Sequence, residues 1–270
     1  MTGASVGSPQ AEDVPNGPDG RIFFSGDHRL EGILEWPDPG VRWKLGDPPS
    51  AGFTSGVSSP GVLGGVVVAH PHSLHGGTMA HPVVYRVAQS CRQRGLATLR
   101  FNFRGVGASE GHFSGTEEYR DVEAAAVFLR DEPVPSEAGP TPCPPARPLA
   151  LAGYSFGSLM AARAAAEIRA VQALALVGFA VSWDELPDDT FKRLAEFRGP
   201  VLAVCAENDD LGYPDEVERV LGELGLDFRI SVVERAGHFL EGRQREVGER
   251  VAGFLSEVLA SGRGSGRRPA

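Results

Sequence analysis

Cysteine is scarce in this chain. Its three cysteines, Cys91, Cys143 and Cys205, are an odd number with no Cys-x-x-Cys spacing, which suggests neither a disulfide framework nor a zinc site. Cys205 lies in an apolar run and reads as a small core residue. Long apolar runs are also missing, and none is long enough to span a bilayer. The N-terminus from Met1 lacks the basic and then apolar profile of a secretion signal. The expected location is therefore the cytoplasm, with no membrane span. Positive charge is in deficit, with 26 Lys and Arg against 35 Asp and Glu and a formal net charge of -9. That balance argues against a general nucleic-acid binder. There is no internal repeat.

What is there is an alternation of short apolar runs and amphipathic stretches in a 270-residue chain, long enough to bury a substantial core. Residues 1–20 and 261–270 read as tails, the second basic, flanking one domain over 21–260. Ile22–Phe24 and Leu30–Leu34 around the polar Ser25–His28 predict an edge hairpin. Pro37–Pro60, rich in Pro and Gly, predicts a long surface loop, as does 132–148. Strands are expected over 62–69, 97–103, 149–152, 173–181, 201–206 and 228–234. Helices are expected over 82–94, 116–130 (with Ser114 and Glu117 spaced as a capping box), 156–168, 214–224 and 246–259. An edge hairpin followed by strand–helix alternation implies an α/β fold, a mostly parallel sheet with helices on both faces.

In such a sheet, chemistry gathers at the carboxyl ends of the strands. Those positions hold His70-Pro71-His72-Ser73-Leu74-His75-Gly76-Gly77, Arg104 to Ser109, Ser155, Glu207-Asn208-Asp209-Asp210 and Gly237-His238-Phe239. Ser155 lies in Gly153-Tyr154-Ser155-Phe156-Gly157, between an apolar run and a helical stretch, the strand–turn–helix setting of a nucleophile elbow. A serine hydroxyl is a weak nucleophile until an imidazole takes its proton, and the imidazole needs a carboxylate to fix its tautomer. Ser155, an acid among Glu207, Asp209 and Asp210, and His238 supply these types in that order. Gly105-Val106-Gly107 matches a dinucleotide fingerprint poorly, since the third glycine is misplaced and Pro- and Gly-rich sequence stands where the βαβ unit should follow. Arg104 is expected to pair with an acid such as Asp121, with binding of an acidic substrate as the other option. His28, His75, His81 and His112 read as ordinary surface or loop histidines.

His70 to Gly77, Arg100 to Ser109 and the Gly153 to Gly157 elbow together resemble the α/β-hydrolases, and within them the small dienelactone-hydrolase-like serine hydrolase and esterase group. The resemblance spans about Val62 to Leu259. It implies an α/β-hydrolase fold with a minimal cap, Ser155 as nucleophile, Asp209 as acid and His238 as base. The family more often has Gly-Asp or Gly-Glu before the acid than Ala206-Glu207-Asn208, which keeps Asp210 in play. It also implies an oxyanion hole from the N–H groups of Phe156 and of His72 or Ser73, since Pro71 has none. His72's side chain either holds that loop or touches substrate, and His70 is expected beneath the loop.

The implied activity is a carboxylesterase-like serine hydrolase, with a thioesterase, an amidase or peptidase, or a non-catalytic binding protein as alternatives. No metal or organic cofactor is expected. The expected partner is a small acyl substrate, held by Ser73, Tyr154 and Trp183, and the chain is a monomer or homodimer. Ser182 to Pro200 is too short for a large lid, so the site should be open, rimmed by Trp183, Leu186 and Phe191, and suited to short acyl groups.

Overall fold

The computed structural model describes residues 20–37, 62–133 and 148–261. The expectations for the tails, for the loop at 38–61 and for residues 134–147, Cys143 included, lie outside these residues.

The described residues form eight strands and six α-helices. A hairpin of β1 (Arg21–Ser25) and β2 (Arg29–Glu35) comes first. Then come β3 (Gly64–Ala69), α1 (Pro82–Arg92), β4 (Leu96–Phe101), α2 (Tyr119–Asp131), β5 (Leu149–Tyr154) and α3 (Phe156–Ala164). The chain continues through β6 (Val171–Val177), α4 (Thr190–Leu194), β7 (Val201–Asn208), α5 (Pro214–Glu223), β8 (Phe228–Gly237) and α6 (Gln244–Ser261). No helix among the described residues is long and apolar enough to cross a membrane.

The sheet order is β1-β2-β4-β3-β5-β6-β7-β8. The β1–β2 and β2–β4 pairs are antiparallel and the others parallel. Alternate residues of the central strands face opposite sides. Val67 of β3 belongs to a core with α2, α3 and α5, whereas Val66 and Val68 belong to one with α1 and α6. This two-sided burial explains why β3 and β5 read as unbroken apolar runs. The chain moves from β3 to β4 on one side and then crosses back to β5 on the other. The loops after β3 and β5 therefore leave the same edge side by side, as at a topological switch point.

Several boundaries differ from expectation, each for a local reason. Helix α2 starts at Tyr119 rather than Thr116, and Ser114 Oγ accepts the Glu117 N–H at 2.8 Å in the turn before it. The returning carboxylate is Glu118, on Ser114 N at 2.6 Å, while Glu117 pairs with Arg120. Strand β6 stops at Val177 because Gly178 turns to φ 54°. Strand β8 runs on to Gly237, with a register shift between Ala206 and Asn208 of β7, so His238 follows the strand directly.

The segment after β4 is structural. Arg104 Nε and Nη2 bind both carboxylate oxygens of buried Asp121, whose Oδ2 also accepts the Arg104 N–H at 2.9 Å. Asn102 Nδ2 donates to Glu31 at 2.8 Å, and Ser109 Oγ bridges the Asn102 carbonyl and the Glu31 N–H, tying this loop to β2.

Candidate active site

Ser155 is the single residue between β5 and α3, and it adopts φ 53°, ψ −120°, a region that side chains other than glycine rarely occupy. The fold-back holds because its neighbours are glycines. A Cβ on Gly157 would collide with the carbonyls of Ala69 and His70 at the end of β3, and one on Gly153 would collide with Gly157 itself. The Ser155 N–H donates to Val177 O at 2.8 Å, locking the turn onto β6. Phe156 opens α3, so its N–H is one of the helix's first donors, which lack a partner within the helix.

His238, at the end of β8, puts Nε2 2.8 Å from Ser155 Oγ. Its Nδ1 lies 2.8 and 2.9 Å from the two carboxylate oxygens of Asp209. Asp209 is 1% exposed, and Oδ1 also accepts the Leu211 N–H at 3.1 Å. An ionised carboxylate can only accept, so the imidazole proton sits on Nδ1 and Nε2 is free to take a proton from the serine. The structure brings Ser155, His238 and Asp209 together and leaves Asp210 exposed. Glu207 takes neither role, since its Oε2 accepts the Arg235 N–H at 2.7 Å.

The loop after β3 rests on His70. This imidazole is fully buried, bonds Pro71 O through Nδ1 at 2.6 Å and accepts the Phe103 N–H through Nε2 at 3.1 Å. Burial lowers its pKa to about 4, so it is neutral and keeps both bonds. Gly77 lets the loop close, because a Cβ there would run into the backbone of Pro71 and His72. A 3₁₀ turn at Ser73–His75 follows.

His72 is half-buried and sits among rings, with centroids 4.5 Å from His75, 4.7 Å from Phe113, 5.2 Å from Phe156 and 5.4 Å from Trp183. Burial first, and then the neighbouring His75, push its pKa down. Its Nδ1 and Ser73 Oγ are buried without hydrogen-bond partners among the described residues. His72 and Trp183 thus flank the residue after Ser155 from two loops. Phe113 joins them without a sequence signal, since it lies in a Gly- and Ser-rich loop with no periodicity.

Some expected site residues sit elsewhere. Tyr154 is 3% exposed and its hydroxyl donates to His238 O at 2.9 Å, so it has no face left for a ligand. Trp183, Leu186 and Phe191 all pack partly buried against the same core; Phe191 meets Phe179 at 6.4 Å, and Trp183 meets Phe156 of the elbow at 6.1 Å. His75 and His81 are not plain surface residues. His75 stacks on His72, and His81 Nδ1 caps α1 through the Val83 N–H while its ring lies 5.2 Å from Tyr154. No cluster of three or more His, Cys, Asp or Glu among the described residues could hold a metal ion.

Residues 65–261 match the family described as the alpha/beta hydrolase domain. An uncharacterized protein of Rickettsia prowazekii (strain Madrid E) is 27% identical over 203 residues, 72% of this chain and 79% of its own. Of the solved structures, an alpha-beta serine hydrolase homologue from Coxiella burnetii is 26% identical with a TM-score of 0.65, covering 87% of this chain and 96% of that one. A serine hydrolase without lid from Xanthomonas campestris is 25% identical with a TM-score of 0.62, covering 95% of this chain and 100% of the other. Est1E from Butyrivibrio proteoclasticus, solved with ferulic acid bound, shares the fold at 16% identity and a TM-score of 0.65, over 88% of this chain and 99% of its own. A family match over that much of the chain, on a sheet and crossover pattern shared with solved hydrolases, makes this protein a member of the α/β-hydrolase family.

Proposed function

We propose that this protein is a carboxylesterase-like serine hydrolase that cleaves small or short-chain acyl esters through an acyl-enzyme on Ser155. The observation that carries this reading is the continuous chain from Ser155 Oγ to His238 Nε2 at 2.8 Å and from His238 Nδ1 to buried Asp209. His238 takes the serine proton as Oγ attacks the acyl carbon, and Asp209 stabilises the imidazolium that forms. The carbonyl oxygen becomes an oxyanion held by the Phe156 N–H at the start of α3 and by an N–H of the His72–Ser73 segment. His238 returns the proton to the leaving alcohol, then activates water to release the acid.

The aromatic group of His72, Phe113, Phe156 and Trp183 supports an apolar acyl site beside the oxyanion loop. Between β6 and β7 the chain spends one five-residue helix, α4, which is too little to roof the site. The Xanthomonas campestris neighbour, a serine hydrolase without lid, supports the same open arrangement. An open, shallow site offers little burial to a long chain, so short acyl groups are preferred.

A fluorophosphonate probe should label the wild type and leave Ser155→Ala unlabelled. A wild type that takes no label would sink the serine hydrolase reading. A panel of p-nitrophenyl acetate, butyrate and laurate, with matching thioesters and anilides, should give the highest kcat/KM on the short oxygen esters. A maximum on laurate or on the anilides would overturn the substrate assignment.

A further inference from the structure

We propose that Tyr154 is a positioning residue for the base, tying the His238 backbone to the strand that carries the nucleophile. This rests on the reading of His238 as the base and explains how it is held. Tyr154 is the last residue of β5, whereas His238 follows β8, with β6 and β7 lying between those strands in the sheet. The tyrosine side chain bridges that distance. Its hydroxyl donates to His238 O at 2.9 Å and its ring lies against the imidazole, with centroids 5.9 Å apart and planes at 25°.

Gly178, which follows β6 at φ 54°, stands beside the bridge: a Cβ there would be in ordinary contact, 3.4 Å from both the Tyr154 ring and His238 Cε1 and 3.6 Å from Asp209 Oδ2. On its other side the Tyr154 ring meets His81, the N-cap of α1. The tie also falls between two strained residues. Arg235 and Leu240, on either side of His238, both have φ 53°, a conformation that persists only where surrounding structure enforces it. The hydroxyl is a constant donor: burial first, and then the charge of Asp209, raise its pKa above the ordinary phenol value, so it stays protonated at any working pH.

Deleting the hydroxyl should therefore cost alignment of the base without removing any group that touches substrate. Tyr154→Phe keeps the ring and its packing. It should lower kcat on p-nitrophenyl butyrate and the fluorophosphonate labelling rate by about 10-fold or more, with KM within about twofold of wild type. In proton NMR, the low-field His238 Nδ1–H resonance should be sharp in the wild type and broadened by solvent exchange in Tyr154→Phe.

Three results would each overturn the proposal. The first is kcat and labelling unchanged per folded molecule, even with a lower Tm, which would make the hydroxyl merely structural. The second is a raised KM at unchanged kcat, which would make Tyr154 a substrate contact. The third is an Nδ1–H signal equally sharp in both proteins. If the wild type neither labels nor turns over ester, the hydrolase reading fails by itself. The resonance then decides Tyr154 alone, broadening in the variant upholding the tie and its absence refuting it.

Discussion

Asp209 is 1% exposed and meets His238 Nδ1 with both carboxylate oxygens, whereas its neighbour Asp210 is exposed. Asp209→Asn presents an amide where the imidazole needs an acceptor and favours the wrong tautomer, so kcat should fall by about 10⁴-fold. Asp210→Asn should leave kcat near wild type, and comparable losses in both variants would contradict the assignment of the acid. His70 makes a second prediction, through pH. Its folded-state pKa of about 4 lies below the ordinary imidazole value of 6.5, so the unfolded chain binds the extra proton first. The stability His70 contributes is complete above pH 6.5 and declines as pH falls through 4, by about 3 kcal/mol over that window. Urea midpoints measured across this range should fall less steeply in His70→Asn, which has no such proton to bind. Parallel curves for the two proteins would refute the assignment. Phe239 and Leu74, exposed at 69% and 72%, sit beside His238 and within the His72 loop and add apolar surface to the two loops of the site.

The turn from β5 to α3 depends on the absence of side chains. Gly157→Ala drives a methyl into the carbonyls that end β3. Backbone cannot yield as a flexible side chain can, so the variant should lose at least about 1–3 kcal/mol. Gly222→Ala is the matched control: this glycine lies inside α5, at negative φ, and an added Cβ meets nothing within 4 Å. Alanine there should stabilise by about 0.5–1 kcal/mol through a less flexible unfolded chain and better helix propensity. Thermal melts of the two variants should move in opposite directions, and a stable, active Gly157→Ala would refute the close-approach argument. The same elements show where sequence periodicity stops being informative. Strand patterning located every strand from β3 to β8, but β6 ends where Gly178 adopts φ 54°, a backbone angle that periodicity does not report. The carboxylate that returns to Ser114 is Glu118 rather than Glu117, a choice between chemically equivalent neighbours that composition does not rank.

Across the whole molecule the two cores share the strands between them. Val66 and Val68 serve one face of β3, and Val67 and Ala69 the other. Neither layer can therefore unfold without exposing the other. The described residues are expected to melt as one unit, with calorimetric and van't Hoff enthalpies in agreement. Two resolved transitions would break the single-domain reading. Cys91 and Cys205 fit this picture: both are buried, and burial pushes their thiols up to about 12, leaving them as packing groups.

The amino-acid order alone determined the fold class, the elbow around Ser155 and the sequence of serine, acid and histidine. Each is a local signal, an apolar run, a glycine pair or a motif at a strand end, which the chain carries without reference to distant residues. That Asp209, and not Asp210, meets His238 was decided only in three dimensions. So was the gathering of Phe113, His72 and Trp183 around Phe156, and so was the hydrogen bond from the Tyr154 hydroxyl to His238 O. The reason is the sheet order. Tyr154 ends β5 and His238, 84 residues on, follows β8, with two strands between them, and only the packed sheet brings one within reach of the other.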